Sequence, residues 1–180
     1  KHSPQQIAFN EVGRQAIMAD PAWNGGNYYG GALPEKGLAV ARMVGHITYM
    51  SNESMEKKFS RRLKDDHPGF KFSADFEVEG YLRYRGMSFT KRFDANTYLY
   101  ITKAMDYFDL SDGKWIPAKG LPGVRFLVIA FKSDWLYPSV QSQDMVRQLQ
   151  MRQIAATYCE IAAGYGHDSF LIESEAEKQS

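Results

Sequence analysis

The fold of this chain is decided by the stretch VRFLVIAF, residues 124–131. It is an apolar run rich in β-branched and aromatic residues, which is typical of a parallel strand buried on both faces. A helical pattern follows at about 139–150, and a second, shorter apolar run spans 155–161. Strand, helix and strand in this order predict a βαβ unit of an α/β fold. Two parallel strands do not form a stable sheet alone, so we expect further strands from elsewhere.

The chain before this unit has a helical pattern without a confident strand. Helices are predicted at 1–20, 35–50, 52–64, 74–85 and from Asp94 to about 108, with Ser3 as the N-cap of the first and Asp94 as the cap of the last. A loop rich in Gly and Pro at 21–34 and a polar connection at 109–123 separate some of them. We therefore predict two parts, a helical region over 1–118 and a βαβ region over 119–180.

The composition excludes several classes of protein. The 180 residues include 22 Lys and Arg and 21 Asp and Glu, a formal net charge of +1, which does not favour a nucleic-acid partner. No apolar run approaches the roughly 20 residues of a membrane span, so no membrane association is expected. The single Cys159 cannot form an internal disulfide, which suits a cytoplasmic protein. The four histidines and this cysteine lack metal-ligand spacing, and no metal is expected.

A carboxylate and a histidine follow the two predicted strands. Asp134 lies in the loop after the first strand and His167 in the loop after the second, where functional groups of open α/β sheets lie. This order matches the last two members of a Ser-Asp-His triad. The alternative is that Asp134 caps the following turn and His167 is an incidental loop residue.

A nucleophile for such a triad is not found in the sequence. Gly86-Met87-Ser88 lacks the second glycine of a G-x-S-x-G elbow and lies between helical segments. Cys159 lies inside a predicted strand, where a small buried hydrophobic residue is the simpler interpretation.

Five segments together resemble the homoserine O-acetyltransferase family of α/β-hydrolase-fold acyltransferases. They are AFNEVGRQAI (8–17), GLAVARMVGHITY (37–49), RFDANTYLY (92–100), SDWLYP (133–138) and YGHDSFL (165–171). The resemblance implies the C-terminal part of an α/β-hydrolase fold, mostly the helical lid plus the last two parallel strands and their helices. It also implies that the nucleophilic serine and the oxyanion-hole amides precede residue 1, so that this chain alone would be inactive.

The resemblance assigns roles to five residues. Asp134 resembles the triad acid and His167 the triad base. Asp168 resembles the residue that engages the amino group of homoserine. Arg42 and Tyr49, seven positions apart on one predicted helix, resemble the pair that holds its carboxylate. Without the resemblance, these two would be an ordinary exposed arginine and a packing tyrosine.

The implied reaction is ping-pong transfer of an acetyl group from acetyl-CoA to the hydroxyl of L-homoserine, a step toward methionine. Acetyl-CoA would be a co-substrate, no cofactor would be tightly bound, and the protein would be a cytoplasmic homodimer paired through the helical lid. Alternatives are a succinyl-CoA donor or a serine acceptor within the family, an α/β-hydrolase esterase, and a non-catalytic helical dimerisation module.

Overall fold

The computed structural model describes residues 1–70, 72–110 and 122–172. Its helices and strands are α1 (Pro4–Met18), α2 (Glu35–Tyr49), α3 (Asn52–Phe59), α4 (Glu77–Thr90), α5 (Ala95–Tyr107), β1 (Arg125–Phe131), α6 (Ser139–Met151) and β2 (Ala155–Ile161). Two 3₁₀ helices span Pro21–Gly26 and Gly166–Leu171. The order of helices and strands agrees with the pattern predicted from the sequence.

The described residues form two compact units. The first comprises Lys1–Ile47 and Phe59–Asp109, and the second comprises Thr48–Lys58 and the described residues of Leu110–Ser180. The boundary predicted at 118/119 lies outside the described residues. The end of α2 therefore belongs to the same unit as the loops that follow the two strands.

The core of the first unit is a cluster of buried side chains contributed by α1, α2, α4 and α5. Ile17 and Ala41 are fully buried in a cluster with Leu38 and Phe89. A Cβ on Gly37 would lie 2.4 Å from a backbone oxygen of α1, so a glycine is needed where the two helices approach.

Side-chain caps fix two helix starts as the sequence predicts. The Ser3 hydroxyl accepts a hydrogen bond from the backbone of Gln6, at the start of α1. Asp94 accepts one from the backbone N–H of Thr97 at 2.7 Å, at the start of α5.

The predicted bounds of two helices are wrong. The third helix ends at Phe59 rather than near residue 64, because Ser60 adopts a positive φ of 47° and Leu63 then pairs with Phe76 in an isolated antiparallel bridge. Because Phe76 takes part in that bridge, α4 begins only after it and spans Glu77–Thr90 rather than 74–85. In both cases a contact distant in sequence overrides the local helical pattern.

The segment at 21–34, predicted as a loop, begins with the 3₁₀ helix Pro21–Gly26. The Asp20 carboxylate accepts a hydrogen bond from the backbone N–H of Ala22 at 3.0 Å, which stabilises the start of this turn.

The two strands pair in parallel, in register from Arg125 opposite Ala155 to Phe131 opposite Ile161. One face of this sheet packs on α6, around the buried Leu149. On the other face of β1, Leu127 remains 65% exposed and Ile129 49% exposed. The prediction of a strand buried on both faces is therefore wrong for the described chain, because α6 covers only one face.

The ladder continues one step beyond the strands and positions the site. The backbone N–H of Lys132 donates to the carbonyl of Ile161 at 3.0 Å. Because the strands are parallel, the loops after both of them leave from the same edge of the sheet. Among the described helices, none combines the length and apolar character that crossing a membrane requires.

Candidate active site

Asp134 is fixed by the backbone of its own loop. It is 8% exposed, and its Oδ1 accepts hydrogen bonds from the backbone N–H groups of Leu136 at 3.0 Å and Tyr137 at 2.8 Å. An aspartate that bonds the backbone two and three residues onward holds a tight turn. With Oδ1 occupied in this way, Oδ2 points toward the second loop.

His167 receives that second oxygen. Its Nδ1 lies 2.8 Å from Asp134 Oδ2. Because a carboxylate only accepts hydrogen bonds, Nδ1 carries the proton, and in the neutral ring Nε2 is then a proton acceptor. The arrangement orients the imidazole and fixes its tautomer, as required of a histidine that acts as a general base.

The electrostatics of the pair favour the protonated imidazole. The hydrogen bond to Asp134 raises the pKa of His167 above its ordinary value, and the negative charges of Asp134 and Asp168 add to this. Partial burial of the ring opposes the shift without cancelling it. The raised pKa makes the imidazole a stronger proton acceptor, as is required of a general base.

Three aromatic rings surround the imidazole. The ring of Tyr137 lies 5.2 Å from that of His167, Phe170 5.8 Å and Tyr49 5.9 Å, measured between centroids. Burial raises the pKa of Tyr137, and the neighbouring Tyr49 and Asp134 add to this, so the phenol is neutral at physiological pH. These rings restrict the directions from which a reactant can approach His167.

Gly166 has a conformation and a packing that only glycine satisfies. Its φ is +81°, and an added Cβ would lie 2.4 Å from the backbone nitrogen of Ser51. The loop before His167 therefore lies directly against the residues that follow α2. Tyr49, at the end of α2, is held beside His167 by this close approach.

Hydrogen bonds tie the same segments together. Trp135 Nε1 donates to the carbonyl of Met50 at 2.9 Å, and the hydroxyl of Ser51 donates to the carbonyl of Gly164. Ser133 Oγ accepts from the backbone N–H of Gly166 at 2.9 Å. The end of α2 and both strand loops thus form one bonded cluster around the acid and the histidine.

Arg42 lies on α2, about two helical turns before Tyr49. Its Nε donates to His46 Nε2 at 3.2 Å, and its guanidinium lies 4.7 Å from the ring centroid of Phe89. The His46 ring in turn lies with Nδ1 3.3 Å from the Tyr81 hydroxyl. His46, to which the sequence assigned no role, therefore orients the guanidinium of Arg42.

The structure brings four of the five predicted residues into the second unit. Asp134 and Tyr49 each lie against His167, and Asp168 is close enough for its charge to act on the imidazole. Arg42 belongs to the first unit and shares helix α2 with Tyr49. The roles assigned to these residues remain predictions.

Sequence reasoning missed the residues that hold the pair in place. Ser133, Trp135 and Tyr137 all lie within the SDWLYP segment that was recognised, but their spacing gave them no role. Ser51 could have been found, because a serine directly before a helix is a typical N-cap. Its hydroxyl accepts a hydrogen bond from the backbone N–H of Ser54 at 2.9 Å and so caps α3.

The resemblance seen in the sequence extends to known proteins. The chain is 59% identical over 175 residues to a homoserine O-acetyltransferase of Methanohalobium evestigatum, covering 96% of this chain and 36% of that protein. A homoserine O-acetyltransferase of Solidesulfovibrio magneticus is 53% identical over 178 residues, covering 96% and 45%. The resemblance to the homoserine O-acetyltransferase family is confirmed. The chain spans about 35–47% of the length of the curated relatives it matches. No family model matches it.

Solved structures confirm the fold class. A crystal structure of homoserine O-acetyltransferase from Bacillus anthracis superposes with a TM-score of 0.80 at 27% identity, covering 99% of this chain and 49% of that one. The esterase E22 superposes with a TM-score of 0.78 at 21% identity, covering 98% and 49%, a likeness of fold alone. The chain has the fold of part of an α/β-hydrolase, with a helical region and two parallel strands.

Proposed function

We propose that this chain carries the acid and the base of an acetyl transfer from acetyl-CoA to L-homoserine, catalysed by a protein of which it forms part. The observation that carries the proposal is the hydrogen bond of 2.8 Å between His167 Nδ1 and Asp134 Oδ2, in loops that leave the same edge of the sheet. The names of the relatives, at 51–59% identity, support an acetyl group as the transferred group and homoserine as the acceptor.

The first half of the reaction forms an acyl-enzyme. His167 Nε2 accepts the proton of a serine hydroxyl as the serine oxygen attacks the thioester carbonyl of acetyl-CoA. Asp134 stabilises the imidazolium through Nδ1. The carbon–sulfur bond then breaks, the thiolate of coenzyme A takes the proton from Nε2, and the acetyl group remains on the serine.

The second half of the reaction transfers the acetyl group from the serine to homoserine, with His167 again accepting and returning a proton. His167 Nε2 accepts the proton of the homoserine hydroxyl, whose oxygen attacks the acetyl ester of the serine. The ester bond to the serine breaks, and the serine oxygen regains a proton from His167. The surrounding aromatic rings of Tyr49, Tyr137 and Phe170 disfavour water as a competing acceptor.

Homoserine is proposed to be held by its charged ends. The guanidinium of Arg42 suits its carboxylate, because it presents parallel N–H donors, and Tyr49 is proposed to assist through its hydroxyl. Asp168 suits the ammonium group. Binding both ends would leave the side-chain hydroxyl available to His167, which a simple ester substrate would not require.

The nucleophilic serine and the oxyanion-hole amides are proposed to come from residues outside this sequence, so these 180 residues alone would not transfer acetyl groups. Acetyl-CoA is proposed as a co-substrate, without a tightly bound cofactor. Pairing of two copies through the helical region is also a proposal.

The test is product formation by the complete protein. We expect O-acetylhomoserine, detected by mass spectrometry, when the protein is incubated with acetyl-CoA and homoserine. Parallel reactions with succinyl-CoA and with serine test the donor and the acceptor and should be slower. Release of coenzyme A without an acetylated amino acid would instead indicate a hydrolase and contradict the proposal.

A further inference from the structure

Two adjacent pairs of residues connect the strand loops side by side. His167 bonds Asp134, and the residues immediately before them, Gly166 and Ser133, bond each other. The Ser133 hydroxyl accepts from the backbone N–H of Gly166 at 2.9 Å. One connection thus involves the two chemical groups, and the other involves the backbone that carries the histidine.

The Gly166 N–H needs such a partner. Gly166 is buried and begins the 3₁₀ helix Gly166–Leu171, so its N–H is one of the helix-terminal donors that no carbonyl of the helix satisfies. The preceding residue, Tyr165, offers no side-chain cap. Ser133 supplies the acceptor from the other loop, next to the residue that His167 itself bonds.

We propose that Ser133 is a positioning residue for the acid–base pair, holding the Gly166 backbone so that the His167 ring meets Asp134. The inference rests on the proposed function for its catalytic consequence. Without the hydroxyl, the Gly166 N–H would lose this acceptor, and the direct link beside the Asp134–His167 bond would be lost.

The remaining links make the loss of Ser133 local. The bond from Trp135 to Met50 and the bond from Ser51 to Gly164 still join both loops to the end of α2. The site would therefore remain assembled while His167 gained freedom. A small misplacement of a catalytic base is costly, up to about 100-fold in rate.

The experiment uses the complete protein and the substitutions Ser133→Ala and Ser133→Thr. We expect Ser133→Ala to lower kcat for acetyl transfer about 10- to 100-fold with a smaller change in the KM for homoserine. The ¹⁵N NMR titration of the His167 imidazole should move to lower pH, since the bond to Asp134 weakens while Asp168, Tyr49 and Tyr137 still face the ring. Ser133→Thr retains a hydroxyl and should restore both values.

A matched control is Ser3→Ala, which removes a serine hydroxyl that also accepts a backbone N–H, in the first unit. It should lower the unfolding temperature without moving the His167 titration. Lower stability of Ser133→Ala with an unchanged titration and unchanged kcat would overturn the proposal. The titration needs no turnover, so a shift in a protein that fails to acetylate homoserine would refute the proposed function while supporting the role of Ser133.

Discussion

Gly166 lies against Ser51 so closely that a methyl group on the glycine would lie 2.4 Å from the serine backbone nitrogen. The neighbouring atoms in the way are also backbone, the carbonyl carbon of Met50 and the carbonyl oxygen of Tyr49. Backbone atoms cannot rotate aside as a flexible side chain can. The position of His167 relative to the end of α2 therefore depends on the absence of a side chain at residue 166.

Substituting Gly166→Ala tests this dependence. The methyl group would meet the backbone around Ser51, and alanine disfavours the φ of +81°. We expect a loss of about 2–4 kcal/mol in the free energy of unfolding, measured by urea denaturation of the complete protein, and a large loss of acetyl transfer. Gly31→Ala is the control, since its nearest atom would be at an ordinary 3.6 Å. Equal stability of the two variants would contradict the argument.

The pH dependence of the reaction follows from the environment of His167. The histidine acts as a base only when neutral, and its pKa is raised by the bond to Asp134 and by the charges of Asp134 and Asp168. The rate should therefore rise with pH through a value above about 6.5, the ordinary pKa of histidine. Asp168→Asn removes one negative charge and should move this rise to lower pH.

The measurement is kcat/KM for the acetyl donor across pH 5–9, because this ratio reports the free enzyme. Asp144→Asn, at an exposed position of α6, provides the control and should leave the profile in place. A profile of Asp168→Asn that moves to higher pH would mean that Asp168 does not act on His167 as described.

Arg42 and Arg92 offer a matched pair for testing substrate recognition. Both guanidiniums lie over the ring of Phe89, at 4.7 Å and 5.7 Å from its centroid, but only Arg42 is proposed to bind the homoserine carboxylate. We expect Arg42→Ala to raise the KM for homoserine about 10- to 100-fold, as loss of a charged hydrogen-bonded pair predicts.

The first half-reaction separates binding from damage to the fold. Release of coenzyme A in a single turnover without homoserine should be unchanged in Arg42→Ala. Arg92→Ala should leave the homoserine KM close to that of the unsubstituted protein. If both arginine variants raise the KM equally, packing on Phe89 rather than carboxylate binding explains the effect.

A buried ion pair stabilises the first unit. Arg14 Nη1 lies 2.7 Å from Asp106 Oδ2, and both side chains are 6% exposed. Burial would raise the pKa of Asp106, but hydrogen bonds from Asn10 and His2 and the charge of Arg14 outweigh it and hold the pKa below its usual value. Asp106 is therefore ionised at neutral pH, and its contribution to stability is lost only as the pH falls through that lowered pKa.

Removing Asp106 should leave the buried Arg14 guanidinium with the half-exposed Glu11 as its ion-pair partner and should take a hydrogen-bond acceptor from Asn10. We expect Asp106→Ala to lower the free energy of unfolding by about 3–5 kcal/mol at pH 7, measured by urea denaturation. Asp144→Ala breaks an exposed pair with Arg147, with side chains 67% and 70% exposed, and should cost less than about 1 kcal/mol. If Asp106→Ala also lowers the free energy of unfolding by less than about 1 kcal/mol, the buried pair does not stabilise the unit.

Much of the fold followed from local patterns. The apolar runs predicted both strands within a residue of their ends, because β-branched and aromatic residues favour strands. Ser3 and Asp94 marked helix starts because capping is a local interaction. The end of α3 and the start of α4 were missed because the bridge between Leu63 and Phe76 joins residues 13 positions apart.

The candidate site, like the fold, could be predicted from the sequence only in part. The order of Asp134 and His167 after successive strands predicted that they would lie close, because parallel strands deliver their loops to one edge. The supporting residues were not predictable by spacing. Ser133 meets Gly166 across 33 positions and Trp135 meets Met50 across 85, distances at which no local rule operates. The environment of Arg42, with His46 and Phe89, likewise depends on how α2 and α4 pack.

The most direct test of the account is the rate of acetyl transfer to homoserine by the complete protein carrying His167→Asn. The asparagine side chain can still donate a hydrogen bond toward Asp134 but cannot accept and return the proton. We expect a fall in kcat of about 1,000-fold or more, with the protein still folded. Transfer within tenfold of the unsubstituted rate would contradict the assignment of His167 as the base.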